Sequence, residues 1–266
     1  MANTWQNKAL RFLERDARKR KSLHCLSLQE EKPGSERMQG QWFLANRRCA
    51  STIKNLMDLG RMTELLQPFL AAPLSAEQLN QISIYIDLLE RWNARVNLTA
   101  VREPREIVTR HFGESLFAAR HLIPAPILDS SGSMIDIGSG AGFPGLPSKI
   151  WAPGLQTILV ESNYKKATFL REVIRTLALT NVDVYIGRAE ELSGAAQLVT
   201  LRAVERFDRV LPVARHLLSA NGRLALLIGN AQVQHARQFI SDLLWQDAVL
   251  IPQSANRVLF VGAVPG

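Results

Sequence analysis

The spacing of hydrophobic residues divides the chain into a helical part and a later part of alternating strands and helices. Within 61–130, apolar side chains recur at the spacing of an amphipathic helix. Ser75, with Gln78 three residues later, forms a capping-box pattern that predicts the start of one helix, which should end near Asn93. A further helix is predicted from about 103 to 121. We therefore expect a small N-terminal helical region.

Short apolar runs of strand length follow within 131–266, separated by helical stretches. Five runs have this character: 134–138, 157–161, 182–186, 198–203 and 223–229. Strands that alternate with helices predict a parallel sheet covered on both faces. Two more strand candidates, near 246–251 and 257–263, predict a C-terminal β-hairpin. The predicted fold class is α/β, with a Rossmann-like sheet that carries this hairpin.

Residues 1–60 differ from the rest of the chain in charge. They hold 12 Lys and Arg against 6 Asp and Glu, whereas 61–266 holds 20 against 18. Most of the net charge of +8 therefore lies in a segment with little apolar periodicity. We interpret this segment as a basic, poorly ordered extension. An arm that contacts RNA is a second interpretation, and a translation start at Met57 or Met62 is a third.

Composition argues against several classes of protein. No apolar run reaches the roughly 18 residues of a membrane span, and no signal peptide is recognisable. Cys25 and Cys49 are the two cysteines, which excludes a four-cysteine zinc site and fits a reducing cytoplasm. The histidines show no ligand spacing, so we expect no metal.

The strongest chemical signal is the segment IDIGSGAGFPG at 135–145. A short apolar strand carrying Asp136 leads into a loop with closely spaced glycines at Gly138, Gly140 and Gly142. Glycine allows a tight turn and a close approach of the backbone to a ligand. A loop of this kind after a strand is typical of a site for a nucleoside cofactor.

Two cofactors are compatible with the sequence of this loop. The spacing from Gly140 to Gly145 satisfies the G-x-G-x-x-G fingerprint of dinucleotide sites. Asp136, two residues before Gly138, favours S-adenosylmethionine instead. Its carboxylate can interact with the ammonium group of that ligand, directly or through water, whereas it would oppose a pyrophosphate. We therefore predict S-adenosylmethionine, with NAD as the less favoured alternative.

Acidic residues after the next two strands extend the predicted cofactor site. Glu161 ends the second strand, where a carboxylate can accept hydrogen bonds from both ribose hydroxyls of either cofactor; a solvated strand end is the alternative. Ala189 and Glu190 follow the third strand, where residues contact adenine in such folds. Glu190 can equally stabilise a helix N-terminus.

Arg202 ends the fourth predicted strand, beside the expected point of methyl transfer. Its guanidinium can contact the cofactor's carboxylate, an RNA phosphate or a guanine oxygen, or it can pair with a nearby acid. We predict that it positions the reactants. His111 and Glu114 either line the cleft or serve as packing or ion-pair residues.

Several segments together resemble the RsmG family, also called glucose-inhibited division protein B. In chain order they are WNARVNLTAV (92–101), HFGESL (111–116), DIGSGAGFPGLP (136–147), ESNYKKATFL (161–170), RAEEL (188–192) and VTLRA (199–203). The resemblance covers roughly 63–265. It implies a Rossmann-like S-adenosylmethionine-dependent methyltransferase that acts on guanine N7 of small-subunit (16S) ribosomal RNA.

The resemblance also implies site residues and partners. By position, it assigns cofactor binding to Gly138, Phe143, Ala189, Glu190 and Arg202. The implied partner is 16S ribosomal RNA or the small ribosomal subunit in the cytoplasm, and we expect a monomer without membrane contact. Two positions depart from the family: Glu114 stands where Asp is usual, and Ile228 stands where Lys often precedes Gly229.

The implied reaction depends little on acid–base catalysis. Guanine N7 carries a lone pair and has no proton to lose, so displacement from a sulfonium needs positioning more than a general base. The RNA has to present that base unpaired or in an accessible loop. A cofactor-binding, ribosome-associated module without transferase activity is the alternative function.

Overall fold

The structure, a computed structural model, describes residues 59–123, 132–203 and 207–266. The predictions for 1–58 lie outside these residues, as does the expected domain boundary at 130–131. Within the described residues, helices come first and the sheet begins at Ser133. This order confirms the α/β class and the N-terminal helical region.

Two helices, α1 (Leu59–Leu66) and α2 (Ala76–Asn93), open the described chain, with a 3₁₀ turn at Gln67–Phe69 between them. The capping box predicted at the start of α2 is confirmed. The Gln78 amide donates to Ser75 Oγ at 3.2 Å, and the Ser75 amide donates to Gln78 Oε1 at 2.9 Å. The apolar side of α2 packs into the core, and the helix ends where the sequence predicted.

The next helical segment departs from the prediction. A π-helical segment, Ile107–Gly113, lies between α3 (Pro104–Glu106) and α4 (Glu114–Leu122), where a single α-helix was predicted. A Cβ at Gly113 would lie 2.7 Å from the ring of Phe69, so glycine lets this segment pack against the 3₁₀ turn. π-helical turns are uncommon and often occur at functional sites. The prediction was wrong in this detail because the apolar spacing is also compatible with an ordinary α-helix.

Five parallel strands form the centre of the sheet. In chain order they are β1 (Ser133–Ile137), β2 (Gln156–Glu161), β3 (Val182–Ile186), β4 (Ala196–Arg202) and β5 (Leu218–Gly229). Their spatial order is β3-β2-β1-β4-β5. The direction of winding therefore reverses beside β1. In open α/β sheets, ligands bind outside the carboxyl ends of the strands at such a switch point.

Helices connect most of these strands, a 3₁₀ turn (Ala189–Glu191) connects β3 to β4, and a short antiparallel region completes the sheet. The helices are α5 (Gly145–Trp151), α6 (Tyr164–Thr176), α7 (Phe207–His216) and α8 (Val233–Phe239). The last strands are β6 (Leu244–Trp245), β7 (Val249–Leu250) and β8 (Arg257–Ala263). β8 pairs antiparallel with β5, β6 and β7. The C-terminal hairpin is confirmed, although its first arm is two short strands, and the Rossmann-like sheet is confirmed with it.

The side chains of β1 alternate between the two faces of the sheet. Ile135 and Ile137 belong to an apolar cluster that includes residues of α7 and α8, whereas Met134 belongs to a cluster that includes residues of α4. Asp136 shares the face of Met134, and its register partner on β4 is Thr200. The alternation thus places an acidic and a polar side chain together under the N-terminal helices.

Candidate cofactor and substrate site

The glycine loop follows β1 at the carboxyl edge of the sheet. Gly138, Gly140 and Gly142 have φ of 68°, 55° and 91°, in the left-handed region that favours glycine. The Tyr85 hydroxyl of α2 donates a hydrogen bond to the carbonyl of Ala141 and so ties the loop to the helical region. The loop conformation therefore depends on its own glycines and on a contact from outside the sheet.

Asp136 lies beneath this loop and is 0% exposed. Its Oδ1 accepts a hydrogen bond from Thr200 Oγ1 at 2.7 Å, and its Oδ2 accepts one from the Gly145 amide at 3.3 Å. Burial raises the pKa of this carboxyl to about 6, although hydrogen bonds from Thr200, Ser139 and Gly145 oppose the rise. The carboxylate therefore holds the start of α5 in place. Its contact with a ligand ammonium stays a prediction.

Glu161, at the end of β2, holds the loop from the other side. Its Oε2 accepts a hydrogen bond from the Gly140 amide at 2.9 Å, and its Oε1 accepts one from the Asn163 amide at 2.7 Å. The carboxylate is therefore directed at the glycine loop rather than at bulk solvent. This position is compatible with the predicted hydrogen bonds to a ribose, which stay a prediction.

Ala189 and Glu190 lie after β3, in a 3₁₀ turn at Ala189–Glu191. Ala189 is buried in the apolar cluster that also contains Ile137 and Val160. It follows β3, whose carboxyl end lies at the same edge of the parallel sheet as the glycine loop. The Glu190 carboxylate is partly exposed, and its Oε1 lies 3.8 Å from Arg209 Nε. Both residues thus follow β3, and Glu190 is also able to form an ion pair, while their contact with adenine stays a prediction.

Arg202, the last residue of β4, is held by acceptors from the π-helical segment and the residue after it. Its Nη2 donates to the Arg110 carbonyl at 2.6 Å and to Glu114 Oε2 at 3.1 Å. Its Nη1 lies 3.3 Å from His111 Nδ1. Its Cζ lies 6.0 Å from the centroid of the Phe143 ring, at the end of the glycine loop. The guanidinium therefore connects the helical region to the glycine loop.

The ionisation of His111 follows from its neighbours. Arg202 can only donate, so the Nδ1 atom that faces it has to accept, and the ring proton resides on Nε2, which lies 2.8 Å from Thr99 Oγ1. Burial, together with the charges of Arg202 and Arg110, lowers the pKa of His111 to about 3. His111 is thus a neutral acceptor for Arg202.

Phe143 is packed inside the wall of the site. Its ring stacks on Tyr85, with centroids 5.5 Å apart and an interplanar angle of 4°, and on His111, with centroids 4.7 Å apart and an angle of 17°. This stack joins the glycine loop to α2 and to the π-helical segment. The predicted role of Phe143 in cofactor binding stays a prediction, and its observed contacts make it a support of the loop.

Glu114 shares its carboxylate between two arginines, a relationship that sequence reasoning missed. Oε2 accepts from Arg202, and Oε1 accepts from Arg257 Nε of β8 at 2.7 Å. Arg257 lies 143 positions from Glu114, so no local pattern marks the pair. The contact of Tyr85 with the glycine loop was also missed, although a tyrosine on an otherwise apolar helix face was the available signal.

These residues form a cradle that fits a nucleoside cofactor. A Cβ built on Gly140 would meet Gly138 O at 3.8 Å, with no nearer neighbour among the described residues. Space is therefore open beside a loop whose amide is fixed by Glu161. A second acidic residue, Glu190, stands after the next strand. An open backbone and carboxylates after neighbouring strands match the groups of a ribose and a base.

In residues 59–123, 132–203 and 207–266, no three His, Cys, Asp or Glu side chains lie together as a metal site would require. None of the helices in these ranges has the length and apolar character needed to cross a bilayer.

Comparison with known proteins identifies the family. The family described as "rRNA small subunit methyltransferase G" matches residues 78–252. The protein "Ribosomal RNA small subunit methyltransferase G" of Xylella fastidiosa (strain M23) is 46% identical over 147 residues, 54% of this chain and 66% of that protein. The chain therefore spans slightly less than two thirds of that relative's length.

A second relative is matched over more of its length. The protein of the same name from Xanthomonas axonopodis pv. citri (strain 306) is 40% identical over 182 residues, 68% of this chain and 79% of that protein. Among solved structures, a ribosomal protein L11 methylase from Lactobacillus delbrueckii subsp. bulgaricus aligns over 57% of this chain and 80% of that chain, with 12% identity and a TM-score of 0.48. The chain belongs to the rRNA small subunit methyltransferase G family.

Proposed function

We propose that this chain transfers a methyl group from S-adenosylmethionine to N7 of a guanine in 16S ribosomal RNA. The observation that carries the proposal is the placement of the glycine loop, Glu161 and Arg202 at one edge of the sheet in a member of this family. The two relatives described above are named as small-subunit ribosomal RNA methyltransferases. The enzyme class therefore follows from both the site and the relatives.

The residues proposed to hold the cofactor come from four strand ends. They are Asp136, Gly138, Gly140, Gly142, Phe143, Glu161, Ala189, Glu190 and Arg202. When bound, S-adenosylmethionine supplies an electrophilic methyl group on its sulfonium. The Glu161 carboxylate has lone pairs beyond those used by Gly140 and Asn163 and can accept from ribose hydroxyls.

Arg202 positions the reactants in this proposal. A guanidinium has five N–H donors, and three of those of Arg202 are used by Arg110, His111 and Glu114. Two donors are left for an acceptor in the cleft. Because guanine N7 has no proton to lose, the residues at this edge need to orient the base and exclude water rather than remove a proton.

The proposed partner is 16S ribosomal RNA, either free or in the small subunit, and the location of that RNA places the reaction in the cytoplasm. We expect the chain to act as a monomer. Ile228, which stands where the family often has Lys, is buried in the apolar cluster with Val233 and Val258. Position 228 therefore presents no cation to RNA or cofactor.

A transfer assay tests the proposal. Purified chain is incubated with labelled S-adenosylmethionine and small-subunit particles from a bacterium that lacks its own member of this family. We expect label in the RNA, with at least a hundredfold slower transfer by a folded Arg202→Ala variant and no change in Arg175→Ala, whose side chain is exposed. A folded chain that binds S-adenosylmethionine but transfers nothing would instead indicate the binding-module alternative.

A further inference from the structure

Arg257 lies at the same edge of the sheet as the proposed cofactor site. It opens β8, and its register partner is Gly229, the last residue of β5. Its side chain reaches Glu114, with Nε at 2.7 Å and Nη2 at 2.6 Å from the same oxygen, Oε1. Through Glu114 it is joined to Arg202, and through Arg202 to the glycine loop.

The charges in this cluster do not cancel. Glu114 is 2% exposed and carries one negative charge, which it divides between two guanidinium groups. The side chain of Arg202 is 15% exposed and that of Arg257 is 33% exposed. The three side chains together keep one positive charge, and the more exposed arginine carries it toward solvent. The nearby Arg110 is offset by Glu106, 3.6 Å away.

The geometry of the Arg257–Glu114 pair differs from that of a bidentate ion pair, in which two N–H groups bind two oxygens. An arginine that serves only to neutralise a carboxylate commonly uses two N–H groups on two oxygens. Here both contacts go to one oxygen, because the other oxygen serves Arg202. Three of the five N–H donors of Arg257 are left over. The buried carboxylate therefore fixes a partly exposed guanidinium whose unused donors can bind an oxyanion.

We propose that Arg257 binds a phosphate of the RNA substrate beside the target nucleotide, held in place by Glu114. The proposal rests on the proposed function in that it takes RNA as the ligand. A nucleotide whose base enters the cleft at the strand ends brings its flanking phosphates to the same edge, and a fixed guanidinium matches a phosphate by two parallel hydrogen bonds. A carboxylate of the cofactor is the other source of the same chemistry, and the test separates the two.

The test compares Arg257→Gln, Arg257→Lys and a matched control. The control is Arg175→Gln, which also removes an arginine paired with a carboxylate, Glu172 at 2.8 Å, but at the far end of α6 from the strand tips. Equilibrium binding of small-subunit particles is measured over roughly 50 to 200 mM salt. Binding of S-adenosylmethionine and thermal unfolding are measured on the same samples.

We expect Arg257→Gln to weaken particle binding about tenfold and to reduce the slope of log K against log salt by about 1. Arg257→Lys should recover the slope but only part of the affinity, and the affinity for S-adenosylmethionine should not change. Arg175→Gln should match the unsubstituted chain. The proposal is overturned if Arg257→Gln leaves particle affinity and salt slope unchanged, whatever happens to its stability.

Two other outcomes of these measurements would also test the proposal for Arg257. Weaker binding of S-adenosylmethionine with unchanged particle binding would assign Arg257 to the cofactor carboxylate instead and overturn the proposal. The unsubstituted chain's own transfer activity tests the proposed function separately, since particle binding is read without catalysis. A chain that binds particles through Arg257 but transfers no methyl group would therefore support this inference and contradict the proposed function.

Discussion

Glu114 accepts a hydrogen bond from Arg202, with 3.1 Å between Oε2 and Nη2, at a point where the helical region meets the end of β4. Neither side chain is more than 15% exposed. The contact matters because Arg202 also lies against Phe143 of the glycine loop. The orientation of a proposed positioning residue is therefore set by a carboxylate that the sheet itself does not contain.

Removal of the Glu114 carboxylate should strongly lower the free energy of unfolding. Glu114→Ala leaves two guanidinium groups without their shared partner, and breaking a buried ion pair in this way costs about 3–5 kcal/mol of unfolding free energy. Glu172→Ala, which removes the partner of the solvent-exposed Arg175, should cost less than about 1 kcal/mol. Urea denaturation of both variants measures the difference, and equal losses would show that the buried pair contributes no more than a surface pair.

Two glycines of the loop should respond differently to alanine. A Cβ at Gly142 would lie 2.6 Å from Leu146 Cδ1 and would also meet the Tyr85 hydroxyl, at a φ of 91°. Gly142→Ala should therefore lower the unfolding free energy by about 2–4 kcal/mol. Gly140→Ala, where space is open, should cost only about 1 kcal/mol but weaken S-adenosylmethionine binding, because the methyl group enters the proposed ligand space.

Calorimetric titration and denaturation of the two variants separate these effects. If Gly140→Ala binds S-adenosylmethionine as tightly as the unsubstituted chain, the cofactor does not occupy the space beside Gly140. If Gly142→Ala is as stable as the unsubstituted chain, the loop can move away from Tyr85.

Glu161→Ala should weaken S-adenosylmethionine binding by at least tenfold. The variant loses the proposed acceptor for the ribose and also leaves the Gly140 and Asn163 amides without their carboxylate partner. Isothermal titration measures the dissociation constant, with Glu172→Ala as a control for the loss of a carboxylate. An unchanged dissociation constant in a folded Glu161→Ala protein would remove this residue from the cofactor site.

Asp136 should make folding less favourable as pH rises. Burial raises its pKa from 3.8 to about 6 in the folded chain. Its contribution to stability is therefore fully present below pH 3.8 and is lost as pH rises through 6. At about 1.4 kcal/mol per pKa unit, the loss is roughly 3 kcal/mol. The difference in unfolding free energy between the chain and Asp136→Asn should fall by roughly 3 kcal/mol between pH 4 and 7. A difference that does not change with pH would contradict the raised pKa.

The contribution of His111 to stability should change with pH in the opposite direction to that of Asp136. Its pKa is lowered from 6.5 to about 3 by burial and by the neighbouring arginines, so its contribution is present above pH 6.5 and is lost as pH falls toward 3. Relative to His111→Asn, the chain should lose about 1.4 kcal/mol for each pH unit below 6.5. Because Asp136 opposes this trend, only the difference between the chain and each variant shows the effect. A His111 difference that does not change with pH would contradict the buried neutral ring.

The sequence predicts much of this fold because the signals are local. The capping box at Ser75 and Gln78 is contained in four residues, and it is confirmed in detail. The five apolar runs become the parallel strands, although β5 begins at Leu218 rather than at 223. A glycine-rich turn after β1 is likewise a local feature, and it lies at the switch point where the pattern predicts a ligand.

The parts that escaped prediction depend on contacts between distant segments. The π-helical segment has the same apolar spacing as an α-helix, and its Arg110 carbonyl accepts a hydrogen bond from Arg202, 92 positions away. The arginine pair around Glu114 combines three segments, and its members lie 88 and 143 positions from that carboxylate. The inward direction of Asp136 follows from its register opposite Thr200, which only the assembled sheet defines.

Nucleoside analysis of the methylated RNA tests the central claim most directly. Small-subunit particles are treated with this chain and isotopically labelled S-adenosylmethionine, the 16S RNA is digested, and the labelled nucleosides are identified by mass spectrometry. We predict a single labelled product, 7-methylguanosine, that is lost with the Arg202→Ala variant. Label in any other nucleoside, or 7-methylguanosine formed equally by Arg202→Ala, would contradict the assignment of guanine N7 or of Arg202.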